Sequence, residues 1–279
     1  MRPILVGAVV YDPKVTVIWD IIARFFAGQH CPIDGVYYTN YTTLVDALLA
    51  GHVDIAWNSP LAWVDAQRRT GGTCRALAMR DTDRDRVTHV LVRADGPVRT
   101  LADLRGRTIA VGASDSPQAT LLPLHHLHKH RLVAGPASGG YPDVNVLRHD
   151  VLVGKHGDHV GGERDALQAL LEGRAEAAAV LDLNWRLWSS DGTADPARVR
   201  VLETTAPFDH CNFTASDRFA TSLIETWTRV LLSMDYANPA HREMMDMEGL
   251  KRWLPGRTTG YAALEAAVDE QAFFEAATR

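Results

Sequence analysis

"ALLAGHVDIAW" (residues 47–57) and "ALLEGRAEAAAV" (residues 169–180) follow one pattern. Each runs Ala-Leu-Leu-x-Gly, then a basic residue, a small apolar residue, an acidic residue and an apolar run. The Leu spacing predicts a helix that stops at Gly51 or Gly173, since glycine suits the left-handed position after a helix. A short buried strand follows each time. Upstream, "ILVGAVVYDP" (4–13) and "TIAVGASDSP" (108–117) are matching apolar strands that run into polar, proline-containing loops. The order strand, helix, strand therefore occurs twice, and the chain is read as two related α/β lobes.

The expected boundaries follow from the connections. Residues 1–94 form lobe 1 and residues 95–205 form lobe 2, after which the chain returns so that 206–279 completes lobe 1. A helix over 217–236 has a one-sided stripe of Phe219, Leu223, Trp227, Val230 and Leu231 and needs a surface to cover. Two crossings predict a two-stranded hinge, near 93–97 and 202–208, with a ligand cleft between the lobes.

Composition sets limits. With 279 residues, 46% of them hydrophobic, the chain can bury a large core. The net charge of -5 and the sign-alternating "RDTDRDR" (80–86) argue against a nucleic-acid partner. No apolar run approaches membrane-spanning length, so membrane insertion is not expected. "MRPILVGAVVYDP" lacks a signal-peptide pattern. Localisation is thus read as periplasmic or otherwise extracytoplasmic if a leader has been removed, and cytoplasmic if not. Cys31, Cys74 and Cys211 are far apart and odd in number, so free buried thiols are expected.

Ligands of open α/β sheets sit beyond the carboxyl ends of the strands. Those positions nominate Tyr11, Asn58, Ser59, Ser116, Gln118 and Asp182. Ser59 and Ser116 each precede a proline at a helix start, where serine caps and proline fits the first position. Helix N-termini at such loops favour an anionic or strongly accepting ligand.

The stretches "YTTLVDALLAGHVDIAWNSPLAWVDAQ" (41–67), "TLADLRGRTIAVGASDSPQATLLP" (100–123), "ERDALQALLEGRAEAAAV" (163–180) and "ANPAHREMMDMEGLKRWLPGRTTGYAAL" (237–264) resemble the PhnD-like phosphate/phosphonate substrate-binding proteins of ABC transporters. The resemblance implies the type II periplasmic-binding-protein fold, a small-molecule ligand, an ABC permease as partner, and no cofactor or metal. It also adds Tyr41 to the ligand-binding set. The family's Ser-Thr-Ser loop is here Ser116-Pro117-Gln118, and Gly162 stands where the family tends to have His. Both departures count against simple phosphonate or phosphate as ligand.

The glycine-rich "VLVGKHGDHVGGERDA" (151–166) offers His156 and His159 to the cleft, and "PFDHCNFTA" (207–215) offers His210. His210 and Cys211, if in a strand, point to opposite faces and do not pair. His126 and His130 in "LHHLHKH" (124–130) are read as an exposed polar helix end. The primary reading is a solute-binding protein that captures a small polar or anionic ligand for an ABC importer. Two alternatives stay open: a cytoplasmic enzyme on the same fold using the His156/His159 loop, and a ligand sensor.

Overall fold

The computed structural model describes residues 2–133, 143–157 and 160–276. The chain divides into two units, Met1–Asp85 with Asp209–Tyr261, and Arg86–Phe208 with Ala262–Arg279. The first unit opens with β1 (Ile4–Val9), α1 (Lys14–Gly28), β2 (Ile33–Tyr38), α2 (Tyr41–Ala50), β3 (Ile55–Asn58), α3 (Pro60–Arg69) and β4 (Arg75–Arg80). The second contains β5 (Thr88–Arg93), β6 (Thr108–Val111), α4 (Leu122–Lys129), β7 (Asn145–Arg148), α5 (Glu163–Leu171), β8 (Ala177–Leu181), α6 (Asp182–Ser190) and β9 (Val199–Thr204). The chain then returns to the first unit with β10 (Asn212–Ala215), α7 (Thr221–Leu232), α8 (Pro239–Met247) and β11 (Trp253–Pro255). It ends in the second unit with α9 (Ala262–Glu270) and α10 (Phe273–Ala276).

Each unit is built on one mixed sheet. In the first the order is β11-β4-β10-β3-β1-β2, and in the second β7-β6-β8-β5-β9. The strands of the predicted repeat are parallel in both: β1 with β2 and β3, and β6 with β7 and β8. The returning strand β10 runs antiparallel between β3 and β4, and β5 runs antiparallel between β8 and β9.

The repeat is visible in the backbone. Gly51 ends α2 at φ 80°, and Gly173 follows α5 at φ 76°. Helix periodicity builds the first core. Ile18, Trp19, Ile22 and Phe26 of α1 pack with Ile224, Trp227 and Leu231 of α7. The Phe26 and Trp227 rings stack with centroids 5.4 Å apart. In the second unit the small residues of "AAAV" let helices sit close on both faces of β8, whose residues are all buried.

The unit boundaries differ from the sequence expectation of 1–94 with 206–279 and 95–205. Strand β5 belongs to the second sheet, because Val90 and Val92 pair with Ala179 and Ala177 of β8 and are wholly buried there. The last helices also lie in the second unit. Gln271 donates from Nε2 to the Leu121 carbonyl at 2.9 Å, and His125 Nδ1 is 2.7 Å from Glu270 Oε2. The chain therefore crosses between units three times, at 85/86, 208/209 and 261/262. At the first two crossings Arg86 and Phe208 form an antiparallel bridge with mutual backbone hydrogen bonds of 2.7 and 2.8 Å. Arg86 lies earlier in the chain than the segment expected near 93–97, while Phe208 is the last residue of the one expected near 202–208.

Candidate functional site

In the first unit β3 ends at Asn58, which is 0% exposed. Neither amide atom of its side chain has a partner among the described residues. A buried amide without a partner is costly, and such a group in a native fold calls for an explanation. Ser59 is also buried, and its Oγ accepts from the Ala62 amide at 3.1 Å, with Pro60 opening α3. The predicted cap is present. Asn212 of β10 lies opposite Asn58. Its Nδ2 donates to Tyr261 Oη at 2.8 Å, and Thr214 Oγ1 donates to its Oδ1 at 2.7 Å. The Tyr261 hydroxyl in turn donates to the His210 carbonyl at 3.0 Å. Tyr41 starts α2 and is buried, while Tyr11 is half-buried against the first unit's core.

His210 sits beside a compact group. Its Nδ1 is 3.1 Å from Cys211 Sγ and 3.5 Å from Asp83 Oδ1. The expectation that His210 and Cys211 point apart is corrected here. Strand β10 begins at Asn212, so residues 209–211 lie outside the strand and its alternation does not apply. The Asp83 carboxylate is clasped by Arg80, Nε to Oδ2 and Nη2 to Oδ1, both at 2.8 Å. Although burial opposes its charge, Arg80 and His210 hold Asp83 down to about 2. Asp83, His210 and Cys211 could between them offer three metal ligands. The Arg80 guanidinium on both carboxylate oxygens opposes a cation there.

In the second unit the strand-end loop after β6 carries Asp115, Ser116, Pro117 and Gln118, and all four are buried. Ser116 Oγ accepts from the Ala119 amide at 3.2 Å, and Pro117–Leu121 forms a widened turn that runs into α4. The chain brings Ser116, Gln118 and His156 together through the segment 154–157. Gln118 Nε2 donates to the Gly157 carbonyl at 3.0 Å. Asp115 Oδ2 accepts from the amides of Gly154 at 2.6 Å and His156 at 3.4 Å. Gly157, at φ 69°, lies so near Ser116 that a Cβ there would stand 2.1 Å from Oγ. Burial pushes the Asp115 carboxyl up and the His156 imidazole down to about 3. His159 lies outside the described residues.

Gly162, which replaces the family's His, is at φ 86°, and a Cβ there would lie 2.1 Å from the His149 carbonyl oxygen. Only glycine fits this backbone. Glu163 follows it, wholly buried, and its Oε2 accepts from the Leu181 amide at 2.8 Å and Asn184 Nδ2 at 2.9 Å. Asp182, at the start of α6, faces Arg86 at 3.2 Å and Arg186 at 3.7 Å. Sequence reasoning nominated neither Asp115 nor Glu163. Asp115 lay inside the loop it singled out, and Glu163 opened the helix it quoted. Neither residue type betrays burial by itself.

The polar helix end of α4 is tied back to α9, where Glu270 Oε2 lies 2.7 Å from Nδ1 of both His125 and His128. The His126 and His130 rings are 4.7 Å apart at their centroids. The three cysteines are free and buried, as expected. Among the described residues no helix is long and apolar enough to cross a membrane.

Residues 23–261 match the family described as ABC transporter, phosphonate, periplasmic substrate-binding protein. The chain is 22% identical over 239 residues to the probable ABC transporter phosphite-binding protein PhnD1 of Prochlorococcus marinus (strain MIT 9301), covering 81% of this chain and 74% of that one. A short match, 61% identical over 31 residues, to an uncharacterised protein of Haemophilus influenzae spans 11% of this chain and 44% of that protein. Among solved structures, PhnD1 of P. marinus in complex with methylphosphonate has a TM-score of 0.68 at 16% identity and covers 97% of this chain and 98% of that one. XAC2383 of Xanthomonas citri bound to ATP has a TM-score of 0.74 at 16% identity, with 97% and 98% covered. These likenesses show the two-lobed periplasmic-binding-protein fold.

Proposed function

Because the chain belongs to the family of periplasmic phosphonate-binding proteins of ABC transporters, we propose that it is the solute-binding component of an importer for a small organic oxyanion. It works on the outer side of the cytoplasmic membrane and hands its ligand to a membrane permease. The observation that carries this reading is Asn58: a wholly buried side chain at the carboxyl end of a strand, with both amide atoms unpartnered among the described residues. A group is retained there that costs stability and makes no side-chain hydrogen bond among the described residues. A ligand supplies the missing partners.

The ligand class follows from what replaces the family loop. Pro117 has neither an N–H nor a hydroxyl to donate, whereas the Ser116 hydroxyl accepts from Ala119 and keeps its own proton for donation. Gln118 gives a long amide in place of a hydroxyl. The Gly162 backbone excludes a histidine donor. A bare phosphate or simple phosphonate loses two or three charge-assisted hydrogen bonds, at about 1.5–3 kcal/mol each. A phosphonate or phosphate ester, whose organic part brings donors and acceptors of its own, suits the Asn58 amide better, since both of its polar atoms lack a partner among the described residues.

The test is thermal melting with methylphosphonate, glycerol phosphate and ATP. A ligand present at about 100 times its Kd stabilises by about 2.7 kcal/mol, a shift of roughly 5 °C or more. Asn58→Leu is expected to melt at the same temperature or higher, since it replaces an unpartnered buried amide with an apolar group. It should also lose the ligand shift. An Asn58→Leu protein that keeps the full shift, or the absence of a shift with any of these ligands, contradicts the reading.

A further inference from the structure

The segment 152–157 has an unusual backbone. Leu152, Gly154, His156 and Gly157 have φ values of 60°, 87°, 52° and 69°. Left-handed residues at 152, 154 and 156, with residues outside that region between them, turn alternate N–H groups toward one point. Leucine and histidine are rarely found in that conformation. The point is occupied by Asp115, whose Oδ2 alone accepts from Gly154 at 2.6 Å and from His156 at 3.4 Å. The other carboxylate oxygen, Oδ1, is buried and has no partner among the described residues. Two more buried polar atoms from the same turn are in the same condition, Gln118 Oε1 and Thr120 Oγ1. The concavity is thus an anion site filled by the chain's own anion, beside polar groups left unsatisfied.

We propose that residues 152–157 form an oxyanion-binding nest and that Asp115 is a tethered competitor for it, so that the ligand of this unit is an oxyanion that displaces the Asp115 carboxylate. The inference rests on the anion-importer reading above and adds the groups that receive the anion. An oxyanion presents the same acceptor geometry to the Gly154 and His156 amides that Asp115 Oδ2 presents now. Its cost is the displacement of Asp115 and the repulsion between two anions at one site. Weak or strongly hydrated anions fail against that competition. Asp115 therefore sets a threshold of selectivity.

The experiment is calorimetric titration of wild-type protein, Asp115→Asn and Asp115→Ser with methanesulfonate and methylphosphonate. Methanesulfonate keeps one charge over the working pH range. Melting temperatures measured in parallel show which variants keep the fold, and the serine variant stands in if the amide variant unfolds. Neutralising Asp115 is expected to tighten binding of both probes at least tenfold. Unchanged or weaker binding in the folded variants overturns the nest. Wild-type binding of methylphosphonate without any gain in the variants overturns the nest while leaving the importer function standing. No binding of either probe by any of the three proteins overturns the nest, and the importer reading then stands or falls on the melting series with glycerol phosphate and ATP.

Discussion

Arg257→Ala lowers the unfolding free energy by about 3 kcal/mol, measured as a fall in the urea midpoint at unchanged slope. The target is Asp209, which is 0% exposed. Arg257 holds it with Nε to Oδ2 and Nη2 to Oδ1, both at 2.6 Å, and Asp85 adds a backbone amide at 3.1 Å. Gly260 approaches from the other side, donating no side chain, because a Cβ would stand 2.0 Å from Asp209 Cγ. Removing the guanidinium leaves a buried carboxylate with one neutral donor. The figure lies at the lower end for a broken buried pair because Arg257 is itself 31% exposed, so water reaches part of the gap. Asp209→Asn on the Arg257→Ala background recovers part of the loss, since it removes the stranded charge. A loss under about 1 kcal/mol would show the pair to behave as a surface bridge. Asp209 is the first residue after a unit crossing, and His210 is the next.

The second large effect is acid lability through His156. Burial holds its folded pKa at about 3, against an ordinary value near 6.5. Between those values the unfolded chain carries the extra proton, so stability falls as pH falls through the window and is fully present above 6.5. The slope is about 1.4 kcal/mol per pH unit below pH 6.5, so between pH 7 and pH 4.5 the wild type loses about 2.5 kcal/mol more than His156→Gln. Asp83 acts lower. Its folded value of about 2 lies below the usual carboxylate range, so its contribution persists above that range and is lost only as pH falls toward 2. The comparison at pH 4.5 therefore isolates His156. Equal losses in the two proteins would show that the imidazole is solvated in the folded state and that the loop 154–157 is not packed onto Ser116 and Gln118.

Much of the fold can be read in the sequence because backbone constraints leave signatures there. Gly51 and Gly173 mark left-handed helix ends, and the runs that follow them are parallel strands in each sheet. Ser59-Pro60 and Ser116-Pro117 mark helix starts, and both hydroxyls cap as expected. Strand β5 suits either sheet by its pattern, because the run Val90-Leu91-Val92 at its centre is apolar on both faces. The contact between His210 and Cys211 escapes the sequence reading because that reading takes both as strand residues, whereas the strand begins only at Asn212. Asp115 was passed over because its role depends on positive φ values at Leu152 and His156, which their residue types do not announce. Gly162 shows the reverse case. Its departure from the family's histidine was visible, but the reason, a carbonyl 2.1 Å from any Cβ, needs the folded chain.

The most direct measurement of the central claim is isothermal titration of the wild-type protein with methylphosphonate, an organic phosphate ester and inorganic phosphate at one pH and salt concentration. The account predicts saturable one-to-one binding of at least one organic oxyanion with a Kd below about 100 μM, equivalent to roughly -5.5 kcal/mol. It predicts binding of inorganic phosphate at least tenfold weaker. Submicromolar binding of inorganic phosphate, or no saturable binding of any of the three, would contradict it.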